Sequence, residues 1–397
     1  MLNTLNDVLN NVDNFIWGMP LIILILFTGI LLTVRLRGLQ IRHLGKALHY
    51  VFHNEDDGEG EVTSFGALCT ALSATIGTGN IVGCATAIVA GGPGALFWMW
   101  LAAFFGMATK YAEGMLAVKY RVIAEDGHAL GGPFYYIEKG MGKNFKWLAK
   151  LFCVFGTMVG LFGIGTFTQV NGITSAVNNF FDPSNVHTIS LFGMNYSISV
   201  VVAGIIVTIC AGLVIIGGIK RISKVSEVIV PFMAVTYIGV CLIIVFTHLP
   251  QVPAAFAEIV QSAFGLKAVA GGAIGAMTVA MQKGIARGIF SNEAGLGSAP
   301  IAAAAAQTNE PVRQGLVSMT GTFIDTIIVC TMTGLAIVMT GAWDMGLEGV
   351  AVTTKAFALG LPFPAKASAF VLMMCLVFFA FTTILGWDYY SERCLEY

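Results

Sequence analysis

The chain has 397 residues, of which 56% are hydrophobic and 11% are charged, and its formal net charge is −1. Soluble domains carry roughly 25% charged residues, so this composition indicates an all-α polytopic membrane protein. A balance this close to neutral excludes recruitment of nucleic acid by a basic surface. The cysteines are scattered with no CxxC pair, so the sequence indicates neither a disulfide framework nor a cysteine metal site.

Several apolar runs reach the length of about twenty residues that crosses a membrane. They cover residues 15–34, 64–90, 95–118, 147–180, 197–219, 226–248, 255–283, 312–340 and 366–387. If the N-terminus lies outside, Lys and Arg gather in the alternate loops that would face the cytoplasm. We therefore expect a multi-pass protein of the inner or plasma membrane with its N-terminus outside.

The run at 64–90 contains the sequence GTGN, from Gly77 to Asn80, whose residues form helices poorly. The sequence predicts a transmembrane helix that is interrupted there. Hydrocarbon tolerates free backbone only where it lines a cavity or is buried in protein, so such a break favours a site for a small ionic solute. The alternative is a packing surface, because Gly79 and Gly83 are four apart and would let a neighbouring helix approach closely.

An acidic segment at residues 47–63 precedes this helix and is interpreted as a cytoplasmic linker. His49 and His53 within it have the spacing of two metal ligands on one helical face. No third ligand is evident, so the linker interpretation is the stronger one.

A second interruption is predicted at 271–281, which reads GGAIGAMTVAM, in a run that crosses in the opposite direction to the first. Two interrupted helices of opposed direction are typical of inverted-repeat transporters, which bind their substrates between them. A cytoplasmic loop is predicted to follow at 284–311.

Charged side chains are few inside the apolar runs, and two adjacent hydroxyls lie in the last run. Thr382 and Thr383 either bond back to their own helix or offer hard oxygen ligands to Na⁺. Lys110 and Glu113 are three apart and could pair with each other, whereas Asp325 has no local partner. Charges within spans are costly and usually functional, so we regard Glu113 and Asp325 as candidates for an ion-binding or gating role.

These features favour an ion-coupled carrier of a small solute over other classes. A channel needs polar residues along a whole pore, whereas here they cluster at two breaks. A membrane enzyme needs a nucleophile beside a base, and no Ser-His-Asp, HExxH or CxxC pattern is present. We do not expect an enzyme.

Three motifs carry a resemblance that extends along the whole chain. They read GGPGALFWMWLAAFFG from Gly91 to Gly106, ALSATIGTGNIVG, and ARGIFSNEAGLGSAPIAAAAA. They resemble the sodium:alanine symporter signature of the alanine or glycine:cation symporter family. The resemblance implies symport of alanine or glycine with Na⁺ as the coupling ion, or H⁺ in some members, and no other cofactor.

The resemblance also implies a LeuT-type fold, in which five helices are repeated in inverted sense, with one extra helix before them. The implied segments are an extra helix with a basic turn at 1–46, the linker at 47–63, a first repeat at 64–248, and a partial second repeat at 249–397. The last two helices of that fold are missing from this arrangement, so the chain is expected to be a fragment.

The likeness of GTGN to the GxGN of the neurotransmitter:sodium symporters, which share the fold, implies roles at the first break. The N–H groups of Thr78 and Gly79 would hold the substrate carboxylate, and Asn80 would lie near the substrate or a cation. A sodium site would join two helices, and its residues would be the Ser73 and Ile76 carbonyls with the Thr382 and Thr383 hydroxyls.

Further substrate contacts are implied from two other helices. Gln169 would bond the substrate and Phe167 would close over it. The segment Ile274, Gly275, Ala276 and Met277 would supply carbonyls for the ammonium group and the apolar bulk that limits side-chain size. A proton-coupled or passive carrier of small amino acids is the alternative function.

Overall fold

The computed structural model describes residues 2–53, 58–125, 127–191, 193–266 and 272–397, which are mostly helical. The α-helices are α1 (Leu2–Ile16), α2 (Met19–Arg35), α3 (Leu39–Arg42), α4 (Leu44–Phe52), α5 (Ser64–Thr75), α6 (Cys84–Gly91), α7 (Gly94–Tyr120), α8 (Pro133–Tyr136), α9 (Lys146–Phe162), α10 (Phe167–Phe181), α11 (Ile198–Ile215), α12 (Gly218–Thr247), α13 (Val252–Ala263), α14 (Ala273–Asn292), α15 (Ala299–Ala303), α16 (Pro311–Thr322), α17 (Thr331–Thr340), α18 (Val350–Gly360) and α19 (Ala365–Glu396).

Shorter elements complete the chain. Gly79–Gly83, Ile137–Met141 and Phe323–Cys330 are π-helical turns, and Lys143–Phe145, Leu249–Gln251 and Ala342–Asp344 are 3₁₀ turns. Two antiparallel hairpins pair β1 (Val122–Ile123) with β2 (Ala129–Leu130) and β3 (Thr188–Leu191) with β4 (Met194–Ser197).

The helices confirm an all-α polytopic membrane protein. Five of the described helical segments are long and apolar enough to cross a membrane, and a pair bent by 53° at the first break would make a sixth. The predicted span at 255–283 is wrong as a single element, because its residues belong to two separate helices, α13 and α14.

The first interruption is confirmed. The Thr63 hydroxyl accepts a hydrogen bond from the Gly66 N–H at 2.9 Å and so caps the start of α5. The helix ends at Thr75, and Ile76 leaves the helical conformation with ψ 88°. Helical structure resumes as a π-helical turn that leads into α6.

The second interruption is not where the sequence placed it. Residues 273–292, including most of the predicted break, form the continuous helix α14. A single interior glycine costs a helix only about 1 kcal/mol, which the helical hydrogen bonds outweigh. The chain breaks after Asn292 instead, where Glu293, Gly295 and Gly297 all have positive φ angles. The predicted cytoplasmic loop at 284–311 is therefore wrong for residues 284–292.

The two ends of the bundle are named after the long helix α7. The Gly94 end is where α7 begins, and the Arg121 end is where it finishes. The helix α14 runs from the Gly94 end to the middle of α7. An added Cβ on Gly284 would lie 2.2 Å from the Ala95 carbonyl oxygen, and one on Gly106 would lie 2.9 Å from the Ala294 Cβ.

The two breaks lie side by side. The helix α6 finishes near the start of α14, since an added Cβ on Gly91 would lie 3.1 Å from the Ala280 Cα. The chain therefore crosses in opposite directions through α5–α6 and through α14. At the breaks, an added Cβ on Gly79 would lie 3.7 Å from atoms of Phe290 and Ser291.

The chain that follows the second break is fixed at the Arg121 end. The Arg121 guanidinium donates to the carbonyls of Ala306 at 2.6 Å and Thr308 at 2.8 Å. The Ala305 carbonyl accepts from the Glu61 N–H at 2.9 Å. The last part of the predicted linker thus packs against the segment after α15.

The rest of the predicted linker is helical or outside the described residues. Residues 47–52 belong to α4, and residues 54–57, with three of the acidic side chains, lie outside the described ranges. The His49 and His53 rings stack 4.1 Å apart. Among the described residues, no group of three or more His, Cys, Asp or Glu could hold a metal ion.

A loop between α10 and β3 is held by a carboxylate. The N–H groups of Val186 and His187 donate to Asp182 at 2.8 and 3.0 Å, and the Ser197 hydroxyl donates to it at 3.2 Å. The two backbone hydrogen bonds lower the pKa of the Asp182 carboxyl.

We expect Gly386→Ala to destabilise the fold, because its Cβ would lie 2.7 Å from the Ala74 backbone and α5 would have to move away from α19. Overpacking of this kind costs about 1–3 kcal/mol. The matched control is Gly204→Ala on α11, where nothing lies within 4 Å of the new Cβ. Thermal unfolding in detergent should show a lower midpoint for the first variant alone. Equal midpoints would contradict this close contact.

Candidate functional site

Asp325 contacts residues at both breaks. It is fully buried in the π-helical turn between α16 and α17. Its Oδ1 accepts from the Asn80 amide at 2.7 Å, and its Oδ2 accepts from the hydroxyls of Ser291 at 2.9 Å and Thr326 at 2.7 Å. One carboxylate therefore joins the first break, the end of α14 and the helix that carries it.

Asn80 also fixes the shape of the first break. Its Oδ1 accepts from the Gly77 N–H at 3.0 Å, while its amide nitrogen donates to Asp325. The side chain is fully buried. It thus pairs a backbone N–H that the interrupted helix leaves without a helical partner.

Two further carboxylates hold the second break. The Gly297 N–H donates to Glu113 Oε1 at 3.1 Å, and the other oxygen, Oε2, is buried with no hydrogen bond within 3.5 Å to the described residues. The Trp387 indole N–H donates to Glu293 Oε1 at 3.1 Å, and the Ser298 hydroxyl donates to its other oxygen. Glu293 has a left-handed backbone (φ 56°), which is uncommon for a residue other than glycine.

The site has more buried negative charge than positive charge. Lys110 interacts electrostatically with Glu113, Glu293 and Asp325, and all four side chains are buried. The Lys110 ammonium donates to the Asn292 carbonyl at 2.9 Å. Among the described residues it forms no ion pair within 4 Å, so the predicted pairing with Glu113 is not a direct contact. One ammonium faces three carboxylates, an arrangement that suits the binding of cations or protons.

The structure brings together one predicted pair of the sodium site. The Thr383 hydroxyl lies 3.5 Å from the Ile76 carbonyl and donates to the Phe379 carbonyl at 3.0 Å. Gly77 leaves room for it, because an added Cβ there would lie 2.4 Å from the Thr383 Oγ1. This pair joins α19 to the first break.

Of the other two predicted residues of that site, Thr382 makes contacts elsewhere, whereas the Ser73 carbonyl stays a prediction. The Thr382 hydroxyl donates to the Phe379 carbonyl at 3.0 Å and lies 3.5 Å from the Met233 sulfur on α12. It therefore contacts α12 rather than the Ile76 carbonyl. The Ser73 hydroxyl donates within α5, to the Thr70 carbonyl at 2.7 Å.

Of the predicted substrate contacts on α10, one reaches the first break. The Thr78 N–H donates to the Gln169 side-chain oxygen at 3.4 Å, and the Gln169 amide donates to the Ile164 carbonyl at 3.0 Å. Phe167 is 61% exposed and stacks on Phe162.

The predicted segment of Ile274, Gly275, Ala276 and Met277 is not at a break. It lies in the first turns of α14, where Ile274 is 77% exposed and its carbonyl accepts from the Thr278 hydroxyl at 2.8 Å. The expectation of unpaired carbonyls there is wrong, because helical hydrogen bonding continues through the segment.

Sequence reasoning missed three residues of the site: Ser291, Glu293 and Thr326. The signal for Glu293 was present in SNEAGLGS, where an acidic residue is followed by Gly295 and Gly297 directly after an apolar run. Glycines two apart at the end of a helix favour backbone conformations that helices do not adopt.

Helices long enough to span a membrane, two adjacent breaks and buried carboxylates between them define a polytopic membrane protein of the transporter class. The chain belongs to the sodium:alanine symporter family, which it matches over residues 2–397.

Several relatives are similar over almost the whole chain. An uncharacterized transporter of Haemophilus influenzae is 57% identical over 99% of this chain and 83% of its own length. The sodium/alanine symporter AgcS of Methanococcus maripaludis is 46% identical over 98% of this chain and 83% of its own length. The probable sodium/glutamine symporter GlnT of Bacillus subtilis is 38% identical over 99% of this chain and 77% of its own length.

We expect Asn80→Ala to destabilise the fold, because it leaves the buried Gly77 N–H unpaired and removes a donor from Asp325. Unsatisfied buried groups cost about 1–3 kcal/mol each. Asn195→Ala, at an exposed position of β4, is the control. A lower thermal midpoint is expected for Asn80→Ala only, and similar midpoints would argue that Asn80 does not hold the break.

Proposed function

We propose that this protein is a secondary active transporter that imports alanine or glycine together with Na⁺ by alternating access. The observation that carries this proposal is the excess of buried carboxylates where the two breaks meet. Family membership and the printed names of the relatives from Methanococcus maripaludis and Bacillus subtilis support sodium coupling and an amino-acid substrate.

The architecture we propose is a LeuT-type inverted repeat preceded by one extra helix. The first repeat covers 64–248, and the second repeat begins at 249. The opposed directions of α5–α6 and α14–α15, with their breaks in contact, support it. The gathering of Lys and Arg in the alternate loops supports an N-terminus outside the membrane.

Two cation sites are proposed from the oxygen atoms that lie at the breaks. Na⁺ is a hard cation and favours hydroxyl, carbonyl and carboxylate oxygens. One site comprises Asp325 with Ser291 and Thr326. The second comprises the Thr383 hydroxyl and the Ile76 carbonyl, with the Ser73 carbonyl as a further ligand.

The substrate is proposed to bind between the breaks. Its carboxylate would accept from the N–H groups of Thr78 and Gly79 at the start of the helix that resumes there, where the helix dipole favours an anion. Gln169, which now accepts from the Thr78 N–H, would turn to bond the substrate. The substrate ammonium group would face Glu293 and the carbonyls of the second break.

Coupling follows from where the Thr383 site lies. It joins α19 to the interrupted helix, so its occupation stabilises one arrangement of these helices over another. One elementary charge crossing 100 mV releases about 2.3 kcal/mol. At about 1.4 kcal/mol per tenfold ratio this sustains a roughly fifty-fold accumulation of solute.

Proton coupling is the second candidate. It is favoured by Glu113, whose buried Oε2 makes no hydrogen bond to the described residues and would be stabilised by a proton. In that mechanism Glu113 is the gating group, and uptake follows a pH gradient without Na⁺.

The function is tested by uptake of labelled alanine into proteoliposomes with an inward Na⁺ gradient, against the same gradient of choline. Accumulation above the outside concentration is expected only with Na⁺. Accumulation driven by a pH gradient in choline would establish the proton-coupled mechanism instead. Equilibration of alanine without accumulation under every gradient would indicate a passive carrier.

In the same assay we expect Asp325→Asn to raise the half-saturating Na⁺ concentration at least tenfold or to abolish Na⁺-driven uptake, because the amide carries no negative charge. Asp344→Asn, at an exposed turn, is the matched control and should behave as the parent protein. An unchanged Na⁺ dependence in Asp325→Asn would remove this carboxylate from the cation site.

Thr383→Ala and Thr382→Ala form a second matched pair. The Thr383 hydroxyl lies 3.5 Å from the Ile76 carbonyl, whereas the Thr382 hydroxyl contacts Met233. Thr383→Ala should therefore raise the half-saturating Na⁺ concentration several-fold, and Thr382→Ala should change it little. The pair is compared by Na⁺ titration of alanine uptake. Equal effects would argue against this sodium site.

A further inference from the structure

A polar cavity lies towards the Gly94 end, outside the site described above. Its volume is about 260 Å³, and its walls come from α6, α14 and Trp17 in the turn between α1 and α2. Its polar and aromatic lining side chains are those of Trp17, Thr86, Gln282, Lys283, Arg287 and Phe290. Among the described residues that line it, none carries a carboxylate.

The two cations of this cavity have no counter-charge in the described chain. Lys283 and Arg287 are four apart on α14, where like charges repel each other. Among the described residues, neither forms an ion pair within 4 Å. The Arg287 guanidinium lies 5.5 Å from the centre of the Phe290 ring. The cavity therefore has a local charge of the sign that attracts an anion.

Their position within the bundle makes these charges unusual. The cytoplasmic loop predicted at 284–311 includes Arg287 and directly follows Lys283, so both would lie on the cytoplasmic side together with the Arg121 end. The structure places them towards the opposite end instead, because their neighbours Gly284 and Gly288 pack on Ala95 and Met99 near the start of α7. Basic side chains away from the side where Lys and Arg gather are unusual in a membrane protein and indicate a function.

The cavity is separated from the first break by one aromatic ring. Phe290 lines the cavity, and its ring is 3.7 Å from where a Cβ on Gly79 would lie. Trp17 packs edge-on against the same ring, with the centroids 6.1 Å apart. A solute in the cavity would thus be next to the backbone proposed to bind the substrate carboxylate.

We propose that Lys283 and Arg287 form a capture site for the carboxylate of the amino-acid substrate before it reaches the break. This inference rests on the proposed function. A guanidinium presents paired donors that match a carboxylate, and an ammonium adds a second charge. A cavity that concentrates an anion in this way raises the rate of association, and salt weakens the effect.

The test combines the double variant Lys283→Gln, Arg287→Gln with a control of equal charge, Lys355→Gln, Lys366→Gln. The control lysines are exposed and line a different cavity. The concentration of alanine that half-saturates uptake is measured at low and high ionic strength, in vesicles of neutral lipid and in vesicles with anionic lipid. Thermal unfolding in detergent checks that both variants fold.

For the first variant we expect a three- to tenfold higher half-saturating alanine concentration at low ionic strength, an unchanged maximal rate, and a smaller difference in high salt. The control should match the parent protein in either lipid. An unchanged half-saturating concentration would overturn the proposal. A change seen only with anionic lipid would also overturn it, because lipid phosphates would then be the anions that bind.

A binding measurement separates this proposal from the proposed function. Propionate carries the carboxylate without the ammonium group, and saturation-transfer NMR detects its contact with the detergent-solubilised protein without any transport. Transfer is expected in the parent protein and the control and should be lost in Lys283→Gln, Arg287→Gln. Transfer that persists in that variant would overturn the capture site. Failure of Na⁺-driven uptake in the parent protein would overturn only the proposed function.

Discussion

The structure depends on keeping the Asp325 carboxylate satisfied away from water. A carboxylate inside a membrane protein is stable only when hydrogen bonds or charges surround it. Here the donors come from three separate parts of the chain, namely Asn80, Ser291 and the adjacent Thr326. Because this one carboxylate accepts hydrogen bonds from both interrupted helices, it holds the two helices together. A cation bound there would replace some of these donors and change how the helices are held.

The first break could be predicted from the sequence, whereas the second was misplaced. Between Gly77 and Asn80 four poor helix formers are consecutive, so local preference and structure agree. At 271–281 the glycines are diluted by good helix formers, and α14 continues through most of that segment. The real break, at Glu293, lies among polar residues whose composition indicated a cytoplasmic loop. Burial by neighbouring helices decided its place, and composition does not record burial.

Side-chain partners were predictable only where a fold resemblance supplied them. The approach of Thr383 to the Ile76 carbonyl came from that source, and the structure contains it. The local spacing of Lys110 and Glu113 suggested a pair, but both side chains contact the second break instead. Asp325 could be singled out because it was alone in its span. Its partner Asn80 could not, because the two are 245 residues apart and no local pattern links them.

The contact of Gln169 with the Thr78 N–H bears on how tightly a solute can be held. In the proposed mechanism an arriving carboxylate does not gain this donor outright but exchanges places with an amide that already uses it. Such an exchange contributes little net free energy, because one hydrogen bond replaces another. In the absence of substrate, the Gln169 side chain thus occupies the hydrogen-bonding position of the substrate carboxylate and keeps the Thr78 N–H paired. The substrate can then leave readily after each crossing, because Gln169 takes its place.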